Sequence, residues 1–202
     1  SADGAPITKG WLVEEGVLVR TERSGAIYTD KPYEDFELLF EWKLAKGGNS
    51  GIKNRVPHYR KRVWGRPGWL GCEYQLYDDN KSPKRVSSTG SLYALYAPND
   101  KTKLNPPGTY NHSRIVVEGN RIEHWLNGEK VVGFDYTDPK WAANVEMLRK
   151  RGADLADRAA NLSLQDHGDP VAYRGIKLRV VPANEKLDRK PVTPAAIPPD
   201  VL

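Results

Sequence analysis

The chain has 202 residues with a formal net charge of +5, of which 39% are hydrophobic and 28% charged. That length suits one large all-β domain better than two small ones, and it suffices for a real core, since such a chain buries roughly 70% of its unfolded surface. The balance excludes a disordered acidic chain, no apolar run approaches the ~20 residues of a spanning helix, and one cysteine, Cys72, excludes an intrachain disulfide or a cysteine-based zinc cluster. Six Trp and ten Tyr against three Phe favour polar, aromatic-lined surfaces.

In chain order, Trp11–Arg20 alternates around Val13, Val17 and Val19, with Glu15-Gly16 as a turn. Phe36–Leu44 is the clearest strand: Phe36, Leu38, Phe40 and Trp42 share one face, and Glu37, Leu39 and Glu41 the other. Further strands are predicted over Ser50–Val56, Cys72–Asp78, Gly90–Tyr96, Ser113–Glu118, Arg121–Leu126, Lys130–Phe134, Leu162–Asp166 and Val171–Val181. Glu118-Gly119-Asn120 and Asn127-Gly128 supply hairpin turns. One helix is expected near 139–156, with Asp138 as N-cap, Pro139 at N1, and Trp141, Val145, Leu148 and Leu155 near helical spacing. Five of the 15 prolines fall in the last 21 residues, so 1–182 reads as the domain and 183–202 as an extended proline-rich tail. Many short strands with frequent turns predict an all-β sandwich or jelly roll.

On the Cys72–Asp78 strand, Glu73, Gln75 and Tyr77 project together, which offers either a ligand-binding row with a general base or an ordinary solvated face. Lys53 and Arg55 are expected to share a face, as two cations able to polarise a carbonyl or as plain surface charges. Lys53–Arg66 holds six basic residues and no acid, interleaved with Tyr59 and Trp64. No nucleic-acid motif accompanies that run, so it reads as a basic loop rather than a nucleic-acid surface. Gln165-Asp166-His167-Gly168-Asp169-Pro170 is turn chemistry that presents His167 as a general acid, a metal ligand or a simple turn residue. His124 alternates with Ile122 and Leu126 and is read as inward-facing. Phosphate loops, dinucleotide fingerprints, His-Glu-x-x-His and Gly-x-Ser-x-Gly are absent from the sequence.

An ordered set of motifs carries a family resemblance. They are Trp11…Glu15-Gly16-Val17-Leu18, Ile27-Tyr28-Thr29, Asp35-Phe36-Glu37-Leu38, Asn49-Ser50-Gly51-Ile52…Arg55, Glu73-Tyr74-Gln75…Asp78, Gly90-Ser91-Leu92-Tyr93, Asn111…Arg114-Ile115-Val116-Val117, His124-Trp125-Leu126-Asn127-Gly128 and Leu164-Gln165-Asp166-His167-Gly168…Tyr173-Arg174-Gly175-Ile176. Spanning roughly residues 10–181, the set resembles the 3-keto-disaccharide hydrolase family, described as 3-keto-glucoside 1,2-lyase/3-keto-2-hydroxyglucal hydratase domains. Gly175 departs from the Asn usual in the last motif. The resemblance implies a concanavalin A-like jelly roll of two antiparallel sheets, one concave for carbohydrate. It also implies bacterial members that are commonly exported, so the protein is expected to be periplasmic or extracellular.

The chemistry of a sugar oxidised at C3 then assigns expected roles. Glu73 is the base, Lys53, Arg55 and Gln75 stabilise the enolate, and His167 is the acid. Trp64, Trp69 and Tyr93 stack on an oligosaccharide or glycoside substrate, with Asn49 and Gln165 alongside. Glu41 is a reserve carboxylate, paired with Glu73 in a conventional two-carboxylate glycosidase variant. A divalent metal on Asp78, Asp166 or Asp169 is an option without support from any spacing rule, and self-association into a homo-oligomer is left open. The competing reading is a non-catalytic lectin-like module on the same fold.

Overall fold

The computed structural model describes residues 5–56, 71–81, 85–101, 103–150, 155, 158–185 and 187. Eleven strands form them into a jelly-roll sandwich. In chain order they are β1 (Trp11–Glu14), β2 (Val17–Arg20), β3 (Ile27–Tyr28), β4 (Phe36–Leu44), β5 (Asn49–Val56), β6 (Cys72–Tyr77), β7 (Asn111–Glu118), β8 (Arg121–Leu126), β9 (Glu129–Asp135), β10 (Asn161–Leu164) and β11 (Val171–Val180). One sheet runs β1-β2-β11-β4-β7-β8-β9 and the other β3-β10-β5-β6, with every pairing antiparallel.

Local chemistry accounts for the hairpins. Glu15 (φ 48°) and Gly16 (φ 75°) turn β1 into β2, and Asn127 (φ 47°) and Gly128 (φ 88°) turn β8 into β9, both with the paired positive φ of a type I′ turn. Phe36, Leu38, Phe40, Trp42 and Leu44 point inward from β4 and meet Ile52, Tyr74 and Leu76 of the smaller sheet. Two polar bolts cross this core. The Tyr74 hydroxyl reaches Ser113 Oγ at 2.8 Å and the Trp125 carbonyl at 3.1 Å, while Ser50 Oγ meets the Tyr173 hydroxyl at 2.8 Å. Burial pushes both phenols above their ordinary pKa, so they remain hydrogen-bonding hydroxyls. His124 faces the same core, as its alternation predicts. Its Nδ1 lies 3.0 Å from the Gly90 carbonyl, and burial lowers its pKa to about 4.

Three expectations change. Gly90–Tyr96 is not a strand: Gly90 (φ 79°) and Ala94 (φ 62°) coil it so that Leu92 and Leu95 both enter the core, which strand alternation forbids for residues three apart. The helix begins as a 3₁₀ turn, Pro139–Trp141, whose Lys140 amide bonds Asp138 Oδ1, and continues as α1 (Ala142–Lys150). Of the rest of that expected helix, only Leu155 is described, as a core residue. Arg55 does not project beside Lys53. A bulge opposite Asn161–Ser163 and a φ of 51° turn it inward, where it bonds the Arg158 and Gly119 carbonyls and lies 3.5 Å from Asp35. The proline-rich tail from 188 onward and the basic loop with Trp64 and Trp69 lie outside the described residues.

Candidate active site

Because Tyr74 and Leu76 fill the core, Glu73, Gln75 and Tyr77 face away from it on the outer side of the smaller sheet. Antiparallel register sets Lys53 opposite Glu73, Gly51 opposite Gln75 and Asn49 opposite Tyr77. Across β10, Ser163 lies opposite Lys53 and Tyr28 lies opposite Ser163. Tyr28, Ser163, Lys53 and Glu73 thus form one row across all four strands.

Glu73 is only 8% exposed. Its carboxylate leans over Gly51, whose missing side chain leaves the space: a Cβ there would stand 2.4 Å from Glu73 Oε1. Lys53 Nζ lies 3.7 Å from Oε2. Burial raises the Glu73 pKa, and the charges of Lys53 and protonated His167 oppose that rise. The result is a partly dehydrated carboxylate beside a cation. Next along the ladder, Gln75 Nε2 donates to Asn49 Oδ1 at 3.1 Å, which orients both amides. The outer edge of β6 is capped by the following loop, where the Tyr93 amide bonds the Glu73 carbonyl at 3.0 Å and the Tyr93 ring stays exposed.

The loop after β10 closes the other side. The Gln165 amide bonds the Gly51 carbonyl at 2.8 Å, its carbonyl accepts from Ser50 Oγ at 2.8 Å, and its Oε1 is buried without a partner among the described residues. The His167 side chain is half-exposed, 3.9 Å from Asp169. Asp166 is saturated: Arg20 Nε and the Gly168 amide reach one oxygen, and the Ser24 and Gly25 amides the other. Burial alone would raise its pKa, yet those donors together hold it below the ordinary value. The expectation of Asp166 as a metal ligand is therefore corrected: its lone pairs are spent on this clamp.

Asp78 is likewise occupied by the Gly47 amide at 2.6 Å and by both Asn80 nitrogens. It rims a cavity of about 330 Å³ at the end of the sandwich, floored by Trp42, Leu44 and Leu104, which adjoins the ladder only at Tyr77. Among the described residues no three His, Cys, Asp or Glu side chains converge to hold a metal ion.

Glu41 lies elsewhere. It sits on the outer face of the larger sheet, bonded by Arg174 Nε at 2.6 Å and 3.6 Å from His112. Since the whole core separates it from Glu73, the two-carboxylate glycosidase arrangement is not assembled. Of the residues expected from sequence, the structure brings together Glu73, Lys53, Gln75, Asn49 and Gln165, with His167 and Tyr93 at the margins. Tyr28, Ser163, Gly51 and Arg20 are site residues not expected from sequence; alternation within Ile27-Tyr28 and Leu162–Leu164 marks the first two, but their strands are too short to place alone.

Residues 2–179 match the family described as the 3-keto-alpha-glucoside-1,2-lyase-like domain. A 3-keto-disaccharide hydrolase of Bacteroides thetaiotaomicron is 25% identical over 207 residues, covering 85% of this chain and 70% of that protein. Among solved structures, a Parabacteroides distasonis protein assigned as a glycosyl hydrolase is similar with a TM-score of 0.75 at 31% identity, over 86% of this chain and 85% of that one. A second protein from that organism, assigned likewise, gives a TM-score of 0.68 at 29% identity over 85% and 90%.

Proposed function

The chain belongs to the 3-keto-α-glucoside 1,2-lyase-like family, and from that premise we propose that it cleaves the glycosidic bond of 3-keto disaccharides by elimination at C1–C2. The observation that carries this reading is a nine-tenths-buried carboxylate of raised pKa, Glu73, held beside Lys53 on a ladder of oriented amides.

A ketone at C3 acidifies the C2 hydrogen. Glu73 takes that proton, and the electron pair moves toward the C3 oxygen. The negative charge leaves Glu73 as it appears on the substrate, so Lys53, already within 3.7 Å of the carboxylate, remains paired throughout. Raising the carboxylate pKa brings its basicity closer to that of a carbon acid, and such general base help is worth ~10²–10⁴ in rate. The enolate then collapses to a C1=C2 double bond and expels the glycosidic oxygen, protonated by His167. Water adds back at C1, C2 regains a proton, and the free 3-keto sugar results, so the net reaction is hydrolysis. The Gln75–Asn49 pair and Gln165 Oε1, without a partner among the described residues, supply donors and an acceptor for sugar hydroxyls, and the exposed Tyr93 ring offers a stacking face.

Substitution of Glu73→Gln tests the assignment. Turnover of a 3-keto disaccharide is expected to fall by ~10²–10⁴ while binding of the keto sugar persists. Retained turnover refutes Glu73 as the base.

A further inference from the structure

Gln165 to Gly168 are four consecutive residues leaving β10, and three of them are tied down. Gln165 is fastened through its backbone to Gly51 and Ser50 of the smaller sheet. Asp166 and Gly168 are both held by Arg20 at the end of β2, in the larger sheet: Nε donates to Asp166 Oδ1 at 2.8 Å and Nη1 to the Gly168 carbonyl at 2.6 Å. His167, between the two, keeps its side chain half-exposed, 3.9 Å from Asp169.

We propose that Arg20 is a positioning residue of the active site, holding the Asp166 carboxylate on one flank of His167 and the Gly168 carbonyl on the other so that the imidazole is presented to the leaving oxygen. Three features support a role beyond cohesion. Arg20 is 6% exposed, and a buried ion pair is a poor route to stability because desolvation offsets its attraction, whereas its geometry is highly directional. The two bonds reach the residues before and after His167, one at the Asp166 carboxylate and one at the Gly168 carbonyl, which restrains the chain around His167 without touching the ring. Gly168, at φ 106°, takes a conformation that other residues rarely adopt, so the reversal after His167 is built rather than incidental.

The inference rests on the reading of His167 as the acid, and a double-mutant cycle separates the two. Turnover of a 3-keto disaccharide and thermal midpoint are measured for Arg20→Ala, His167→Ala and the double variant, with Glu73→Gln as reference. Arg20→Ala is expected to lower kcat by ~10²-fold, as for a misplacement of about 1 Å, with KM changing less. In the His167→Ala background the same substitution is expected to cost no further turnover, while the thermal midpoint falls equally in both backgrounds.

Equal losses of kcat in both backgrounds overturn the proposal and leave Arg20 a structural clamp. Wild-type turnover in both His167→Ala and Glu73→Gln overturns the site reading itself. Should Arg20→Ala not fold, Arg20→Lys, which keeps the charge but cannot bridge two acceptors in a fork, is expected to lose kcat in the same non-additive way. Additive loss with Lys refutes the idea equally.

Discussion

Gly51 holds no unusual backbone conformation; its place in β5 would accept any residue were it not for Glu73. A Cβ at that position would stand 2.4 Å from Oε1, 3.0 Å from Cγ and 3.1 Å from Cδ of Glu73. Since comfortable contact begins near ~3.5 Å, Gly51→Ala forces the carboxylate to retreat by about 1 Å. Overpacking costs about 1–3 kcal/mol, and the restricted unfolded chain returns ~0.4–1 kcal/mol. The atoms displaced are at the end of a flexible side chain, so the low end applies and the net cost is about 1 kcal/mol or less. For a chain of this size that lowers the thermal midpoint by no more than about 2–4 °C. Catalysis is expected to suffer far more, by ~10²-fold in kcat/KM, because a misplaced base loses its near-attack geometry. Calorimetry and steady-state kinetics on a 3-keto disaccharide read both effects. Turnover within about threefold of wild type refutes the placement of Glu73 over the reacting carbon.

Three other outcomes follow from the same geometry. Burial raises the folded-state pKa of Glu73 above its unfolded value, so the stability this group contributes is complete below about pH 4 and is lost as pH rises through the folded value. Glu73→Gln is therefore expected to match wild type in urea midpoint at pH 4 and to exceed it at pH 7. His124 has the opposite sign: held to about 4 from 6.5, it contributes stability above pH 6.5 that is lost as pH falls toward 4, roughly 3 kcal/mol in all. Urea midpoints of His124→Gln are expected to vary less between pH 7 and pH 4 than those of wild type. Glu41→Gln, on the opposite face of the sandwich, is expected to keep turnover within twofold and lose about 1 kcal/mol through its weakened bond to Arg174. A large loss of activity there revives a two-carboxylate site.

Much of this was legible from local pattern. Alternation along Phe36–Leu44 and Cys72–Tyr77 depends only on the period of a strand, so it placed Glu73 and Gln75 together before any partner strand was known. The Asn127-Gly128 turn was legible because its positive φ values are a property of those two residues. What escaped was decided at a distance. Alternation tells which residues share a face but not which face of the sandwich, so Glu41 was expected as a reserve carboxylate that could pair with Glu73. Arg55 broke alternation because a bulge against Asn161–Ser163, over a hundred positions away, rotates it inward. Asp166 read as a free carboxylate because its partner, Arg20, lies 146 residues earlier. Gly90–Tyr96 alternates well yet coils, since sealing the edge of β6 and burying Leu92 outweigh strand propensity.

The most direct test of the central claim is to incubate the protein with a 3-keto disaccharide and with its unoxidised parent in D₂O, following products by NMR. Cleavage of the keto sugar alone is expected, with deuterium at C2 of the released 3-keto sugar appearing faster than in an enzyme-free control. Cleavage of the parent sugar, or release of the keto sugar with hydrogen retained at C2, contradicts it.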